Sequence, residues 1–278
     1  MTGVERTLRA VSDLHVSYAE NRELVERIRP GHPEDWLIVA GDVGEFLADI
    51  EWTLGRLRER FAQVVWVPGN HELWTVRDET DPARGVERYQ KLVALCRKLD
   101  VRTPEDPWPV WTGPGGPVRI APLFLLYDYS FLTPGTTTVE ESLARAHEAG
   151  IVCTDEYFLH PDPYPSRQAW CAARIAESER RLTEVAGDLP LVLVNHWPLV
   201  RRPTEVMTHQ EFVQWCGTVR TADWHVRFGA AAVVYGHLHI PRSTVYDGVP
   251  FEEVSIGYPR EWRRFGLREE LARPVLPR

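Results

Sequence analysis

No apolar stretch in this chain approaches the roughly 18 residues that a membrane-spanning helix needs, so membrane insertion is not expected. The opening residues Met1-Thr2-Gly3-Val4-Glu5-Arg6 hold no apolar signal region, and a cytoplasmic location is the expectation. A basic surplus is missing too. The net charge of −8 argues against an extended nucleic-acid or anionic-membrane surface, although local basic pockets remain open. Lysine occurs only at Lys91 and Lys98, and this arginine skew carries no functional weight. Cysteine is sparse, and Cys96, Cys153, Cys171 and Cys216 lack the paired spacing of a zinc knuckle or redox motif. They read as separate reduced thiols. Repeats, low-complexity tracts and convincing linkers are absent, and 44% hydrophobic with 26% charged residues excludes disorder. At 278 residues a full core can be buried, so residues 1–278 read as one domain with elaborations.

What is present is an alternation of strands and helices. Apolar, β-branched runs recur at Thr7–Ser12, Trp36–Ala40, Val64–Val67, Val118–Pro122, Leu191–Val194, Ala231–Tyr235 and Thr244–Tyr246, as expected of strands buried on both faces. Between them Ile50, Leu54, Leu57 and Phe61 recur at helical spacing, as do Leu92, Leu95 and Leu99. Ser166 is placed to cap a long helix reaching about Val185, with Ala169, Trp170, Ala173 and Ala176 as its apolar stripe. Such alternation implies an α/β sheet covered by helices. The stretch at about 123–165 is rich in Tyr, Phe, Pro, Thr and Gly, with a short helical pattern from Val139 to Ala149. It is either an inserted flap or rim beside a site, or surface decoration.

Five polar clusters follow predicted strands directly: Asp13-Leu14-His15, Gly41-Asp42, Gly69-Asn70-His71-Glu72, Asn195-His196 and Gly236-His237-Leu238-His239. In open α/β sheets the carboxyl ends of strands converge on the ligand site, so these clusters would face one another. Imidazole nitrogen mixed with carboxylate and amide oxygen suits Mn, Fe or Zn rather than Ca. The ligands are too many for one ion. Two ions a few ångströms apart can share one carboxylate and one hydroxide, which gives a nucleophile at neutral pH and a clamp for phosphoryl oxygens. Such a site is positive even on an acidic protein.

The constellation resembles the calcineurin-like metallophosphoesterase superfamily, whose signature is D-x-H, G-D, G-N-H-[DE], a lone H, then G-H-x-H. All five elements stand here, from Asp13 to His239. The resemblance implies a four-layer α/β/β/α sandwich of two mixed sheets flanked by helices. It implies that Asp13, His15 and His239 bind one metal, that Asn70, His196 and His237 bind another, and that Asp42 bridges both. His71 would be the histidine that protonates the leaving oxygen or stabilises the phosphate. Glu45 occupies the position from which phosphoprotein phosphatases orient that histidine, or else it is a solvated acid.

One departure is informative. Where phosphoprotein phosphatases read G-D-x-V-D-R-G, this chain reads Gly41-Asp42-Val43-Gly44-Glu45-Phe46-Leu47, so Phe46 replaces the phosphate-gripping arginine. That disfavours the protein-phosphatase branch and points to a small-molecule or nucleotide substrate. Trp74, Trp197, Tyr127, Asp128 and Tyr129 are candidates for holding it, as are Arg201 and Arg202, with core packing or a solvated loop as the alternatives. The expected activity is hydrolysis of a phosphomonoester or phosphodiester by a metal-bridging hydroxide. A non-catalytic binding scaffold on the same fold and a hydrolase of a non-phosphate bond are the rival readings.

Overall fold

A computed structural model describes residues 5–76 and 81–278. Its strands are β1 (Leu8–Val11), β2 (Trp36–Val39), β3 (Gln63–Trp66), β4 (Val101–Arg102), β5 (Val110–Trp111), β6 (Val118–Pro122), β7 (Leu191–Val194), β8 (Ala230–Tyr235), β9 (Arg242–Tyr246), β10 (Val249–Glu253) and β11 (Arg273–Leu276). They form two mixed sheets, ordered β11-β1-β2-β3-β4 and β5-β6-β7-β8-β10-β9. In the first, β1 to β4 run parallel and β11 is antiparallel to β1. In the second, β6, β7, β8 and β10 run parallel while β5 and β9 pair antiparallel at the two edges.

Side-chain alternation along each strand explains the layers. Leu8, Ala10, Ile38, Val65, Ile120, Val192, Ala232 and Val234 are buried together in one cluster that joins the two sheets face to face. Their neighbours Val11, Leu37, Val39, Val64, Trp66, Leu193 and Val233 point the other way, into the cluster that includes the helices. Those helices are α1 (Ala19–Arg27), α2 (Leu47–Arg58), α3 (Asn70–Leu73), α4 (Gly85–Lys98), α5 (Val139–Glu148), α6 (Asp155–Phe158), α7 (Arg167–Val185), α8 (Trp224–Arg227) and α9 (Pro259–Phe265). The result is the expected sandwich of two mixed sheets flanked by helices.

All seven expected strands are present. Buried-on-both-faces fails for β9, an edge strand whose residues alternate between exposed and half-buried. Its partner β10 was not anticipated, although Asp247-Gly248 between them is a hairpin signal, and both residues take positive φ (52° and 81°). Ser166 caps α7 as expected, its hydroxyl accepting from Ala169 N at 3.1 Å. The buried stripe of α7 is Trp170, Cys171, Ile175, Ser178 and Leu182, and the expected Ala176 is exposed. All four cysteines are buried and free. No helix among the described residues is long and apolar enough to cross a membrane.

The carboxyl ends of the two sheets are tied together. Ser12, just after β1, bridges Ser255, just after β10, and Ser12 N donates to Val254 O at 3.1 Å. Every polar cluster named above therefore opens at one seam.

Candidate metal centre

Asp13 and His15 leave β1, Asp42 leaves β2, Asn70 opens α3 after β3, His196 follows β7, and His237 and His239 follow β8. Five of these residues hold left-handed backbone: Asp13 (φ 54°), His15 (φ 42°), Asp42 (φ 54°), His237 (φ 69°) and His239 (φ 53°). That conformation costs a non-glycine residue about a kcal/mol or more, and it turns each side chain back across its strand end. Backbone hydrogen bonds enforce it, with Asp13 N donating to Gly41 O at 2.9 Å and His15 N to Asp42 O at 3.1 Å. Close approach forces two glycines nearby. A Cβ on Gly69 would stand 2.1 Å from Asp42 Oδ1, and one on Gly236 would stand 2.3 Å from Asp13 Oδ2.

The side chains gather in two adjoining groups. In the first, His239 Nε2 lies 2.9 Å from Asp13 Oδ1 and 3.2 Å from His15 Nε2. In the second, His196 Nε2 lies 3.2 Å from Asn70 Oδ1, 3.2 Å from His237 Nδ1 and 3.4 Å from Asp42 Oδ2. Asp42 stands between them, since the same Oδ2 is 3.9 Å from His15 Nε2.

The donor set fits cations, because acceptors face acceptors. His196 Nδ1 donates to the Ala40 carbonyl at 2.8 Å, which leaves a lone pair on Nε2 aimed at the oxygens of Asn70 and Asp42. Asn70 Nδ2 donates to Asp155 Oδ1 at 2.9 Å, which fixes its oxygen toward His196. Glu261 Oε2 holds His239 Nδ1 at 2.7 Å, so its Nε2 faces Asp13. Ligand histidines with one nitrogen anchored and the other free are the usual support for a metal. The charge balance agrees. Burial opposes a charge on His196, yet the Asp42 carboxylate lifts it to about 9, and Asp13 lifts His239 likewise against burial. Against their own burial, Asp13 is held below the ordinary carboxylate range by His239 and then His196, and Asp42 by His196 and then His71. Burial pushes His15 and His237 down to about 3, helped by the charges of His71 and His196 respectively. Protons here occupy places that call for positive charge.

His71 stands beside the groups rather than within them. Its Nδ1 lies 2.6 Å from Glu45 Oε1, its Nε2 lies 3.8 Å from Asp42 Oδ2, and Tyr258 Oη is 3.2 Å from that Nε2. Burial disfavours its cation, but Asp42 and then Glu45 raise its proton affinity above the ordinary value. Glu45 is therefore a partner of His71 and not a solvated acid.

Several contributors escaped the sequence reading. Glu72 is fully buried and accepts from Asp42 N, Val43 N and Gly69 N at 2.9 to 3.0 Å, pinning the two loops that carry Asp42 and Asn70. Asp155 orients Asn70, Glu261 anchors His239, and Tyr258 stacks on His15 at 4.3 Å. Glu72 stands in the Gly69-Asn70-His71-Glu72 cluster, where only its role as an anchor went unread, whereas nothing in the local sequence of Asp155, Tyr258 or Glu261 sets them apart, because their roles come from packing between distant segments.

A cleft of about 560 Å³ opens over this floor, lined by Asp42, Asn70, His71, His237, His239 and Tyr258. Its walls include Ile151, Val152, Met207, Phe212, Phe265 and Arg260. Within the 123–165 stretch, Leu123 to Tyr127 are buried in the core, whereas Gly150 to Val152 reach the cleft. The expected substrate-holding groups do not line it. Trp74 packs on His71 at 3.8 Å and Trp197 on His196 at 5.0 Å, while Tyr127 is core. Asp128 binds Ser130 and Thr218, and Tyr129 binds Glu156. Arg201 donates to Leu132 O, and Arg202 meets Asp247.

Two packed mixed sheets with these histidines and carboxylates gathered at their seam define a metallophosphoesterase. The model of the calcineurin-like phosphoesterase family matches residues 7–241, and the chain belongs to that family. It is 55% identical over 262 residues to the acyl-carrier-protein phosphodiesterase PptH of Mycobacterium tuberculosis (strain ATCC 25618 / H37Rv), covering 94% of this chain and 81% of that protein. The crystal structure of phosphopantetheinyl hydrolase (PptH) from Mycobacterium tuberculosis matches with a TM-score of 0.97 at 53% identity, covering 100% of this chain and 98% of the other. A further solved structure, 11% identical with a TM-score of 0.51, shares the fold alone. The chain is thus an enzyme, a phosphoric ester hydrolase, and the binding-scaffold reading falls.

Proposed function

We propose that this enzyme is a phosphodiesterase that releases a phosphopantetheinyl group from an acyl carrier protein, using two metal ions. The observation that supports the substrate is the near full-length likeness to PptH. On this reading residues 1–278 act as one domain, and the 123–165 segment supplies a cleft wall through Ile151 and Val152.

Asp13, His15 and His239 would hold one cation, and Asn70, His196 and His237 the other, with Asp42 between; Mn, Fe or Zn suits these donors. Bound cations lower the pKa of water and neutralise phosphoryl oxygens. The chain's own residues do the rest. Glu72 locks the Asp42 and Asn70 loops together, so the donors are set before substrate arrives. His71, anchored through Nδ1 by Glu45, presents Nε2 to the cleft and holds the proton that the departing oxygen requires. Tyr258 Oη, beside that nitrogen, donates to a phosphoryl oxygen. Arg260, on the cleft wall, supplies the cation that Phe46 cannot.

The test is incubation of metal-loaded enzyme with phosphopantetheinylated carrier protein, followed by intact-protein mass spectrometry. Loss of the arm is expected. Asp42→Asn should lose metal and activity together, and His71→Ala should keep metal but lose rate. An active metal-free preparation, or a carrier protein left intact by enzyme that cleaves simple phosphodiesters, would refute the reading.

A further inference from the structure

We infer that the mouth of the cleft is a docking surface for the folded body of an acidic protein substrate that carries its phosphodiester on a side-chain arm. The inference rests on the carrier-protein reading above and specifies which surface of this chain meets the carrier.

Half of the exposed large apolar side chains among the described residues lie there. Eight large hydrophobic side chains are exposed among the described residues, and Tyr18, Val152, Val206 and Phe265 belong to this one place. Val152 and Phe265 line the cleft, Val206 precedes the lining residue Met207, and the Tyr18 ring lies 5.7 Å from that of Tyr258. They come from four separate parts of the chain: before α1, after α5, from a 3-10 turn at Arg202–Val206, and from the end of α9. Exposed apolar groups drawn together from distant segments mark an interaction surface.

The charge at the mouth is equally specific. Helix α9 carries Arg260, Arg263 and Arg264 against the single acid Glu261, which is turned inward to His239. Arg263 is paired with Glu20. Arg264 makes no ion pair among the described residues and lies 5.1 Å over the Phe265 ring, and the carboxylate nearest Arg260 is 3.9 Å away. Two weakly neutralised arginines thus face solvent on a chain of net charge −8. A protein with that overall charge repels an acidic partner at long range, so the local cations decide where such a partner can land.

The floor explains why the partner must offer an arm. Asp42, Asn70 and His71 are only 2%, 5% and 6% exposed, out of reach of another protein's backbone. A cleft of about 560 Å³ admits a flexible chain and leaves the body of the partner at the rim. A small free phosphodiester would be held by floor and walls alone, without touching Val206 or Arg264.

The experiment compares two substrates on the full-length, metal-loaded enzyme: phosphopantetheinylated acyl carrier protein and bis(p-nitrophenyl) phosphate. The double variant Val206→Asp/Arg264→Glu changes two exposed residues that lie outside the cleft lining. For the carrier protein, kcat/KM should fall roughly tenfold or more, carried by KM. Turnover of bis(p-nitrophenyl) phosphate should be unchanged, which also shows that the variant is folded. Added salt should erode the wild-type rate on carrier protein more than the variant's. A variant as efficient as wild type on the carrier protein, or one weakened equally on both substrates, overturns the docking surface alone. Wild-type enzyme that cleaves the small diester and ignores the carrier protein overturns the parent reading and this inference with it.

Discussion

Replacing Glu45 by glutamine removes one negative charge and keeps the side chain's shape. In the native chain Glu45 Oε1 lies 2.6 Å from His71 Nδ1, and its other oxygen accepts from the Ser17 hydroxyl. Burial opposes the His71 cation, and Asp42 and Glu45 together raise its proton affinity. Glu45→Gln leaves the share of Asp42 and replaces the charged hydrogen bond of Glu45 by a neutral one. A hydrogen bond to a charged group contributes about 1.5–3 kcal/mol. At about 1.4 kcal/mol per pKa unit, the His71 pKa should drop by roughly one to two units. The sign follows from the role. The imidazolium is the form that donates, and it exists below its pKa, so the alkaline limb of kcat against pH should move to lower pH by that amount. The plateau rate should fall by up to about 10-fold as a neutral acceptor replaces the carboxylate that anchors the ring. The assay is kcat from pH 5 to about pH 9 on an alkyl phosphodiester, whose departing oxygen needs a proton. An aryl diester, with a better leaving group, should be less affected. Metal content should be unchanged. An alkaline limb that stays in place would refute the assignment of Glu45 as the partner that charges His71.

Asp155→Ala frees the Asn70 amide, and metal affinity at the Asn70, His196 and His237 group should fall on the order of 10-fold to 100-fold, read by metal titration followed by fluorescence. Gly236→Ala places a Cβ 2.0 Å from Ser12 Oγ and 2.3 Å from Asp13 Oδ2, so thermal melting should show a loss of about 1–3 kcal/mol, and elemental analysis should show depleted metal. Ser166→Ala removes the α7 cap, which should cost about 1 kcal/mol in urea unfolding and leave kcat alone, since Ser166 lies outside the cleft lining.

Much of this architecture was legible because periodicity and strand-end chemistry coincide. The seven apolar runs became strands, and the five clusters after them met at one seam, because a parallel sheet sends successive carboxyl ends to the same edge. Strands β4 and β5 were missed because each has only two residues, too few for a period to show. The end strand β11 is a short Arg-Pro-Val-Leu run that becomes a strand only by pairing with β1. The second sheet was implied by resemblance and not by pattern, since burial on both faces looks alike whichever sheet a strand joins. Within the site, residues after strands were readable. Asp155, Tyr258 and Glu261 were not, because they arrive from helix starts in other parts of the fold. The aromatic candidates failed for the opposite reason: a tryptophan next to a functional histidine in sequence, such as Trp197, is turned into the core by the chain's own alternation.

The seam between the sheets makes the chain's metal supply and its durability one quantity. Asp13 hangs from one sheet and His239 from the other, as do Asp42 and His196, and backbone hydrogen bonds at the Ser12–Ser255 bridge link the sheets beside them. Cations seated there would rivet the layers, adding about 2.7 kcal/mol for each site filled at a hundred times its dissociation constant. Starved of metal, such a molecule would grow easier to melt and to proteolyse as well as falling idle, so its abundance in a cell would track the ions it needs.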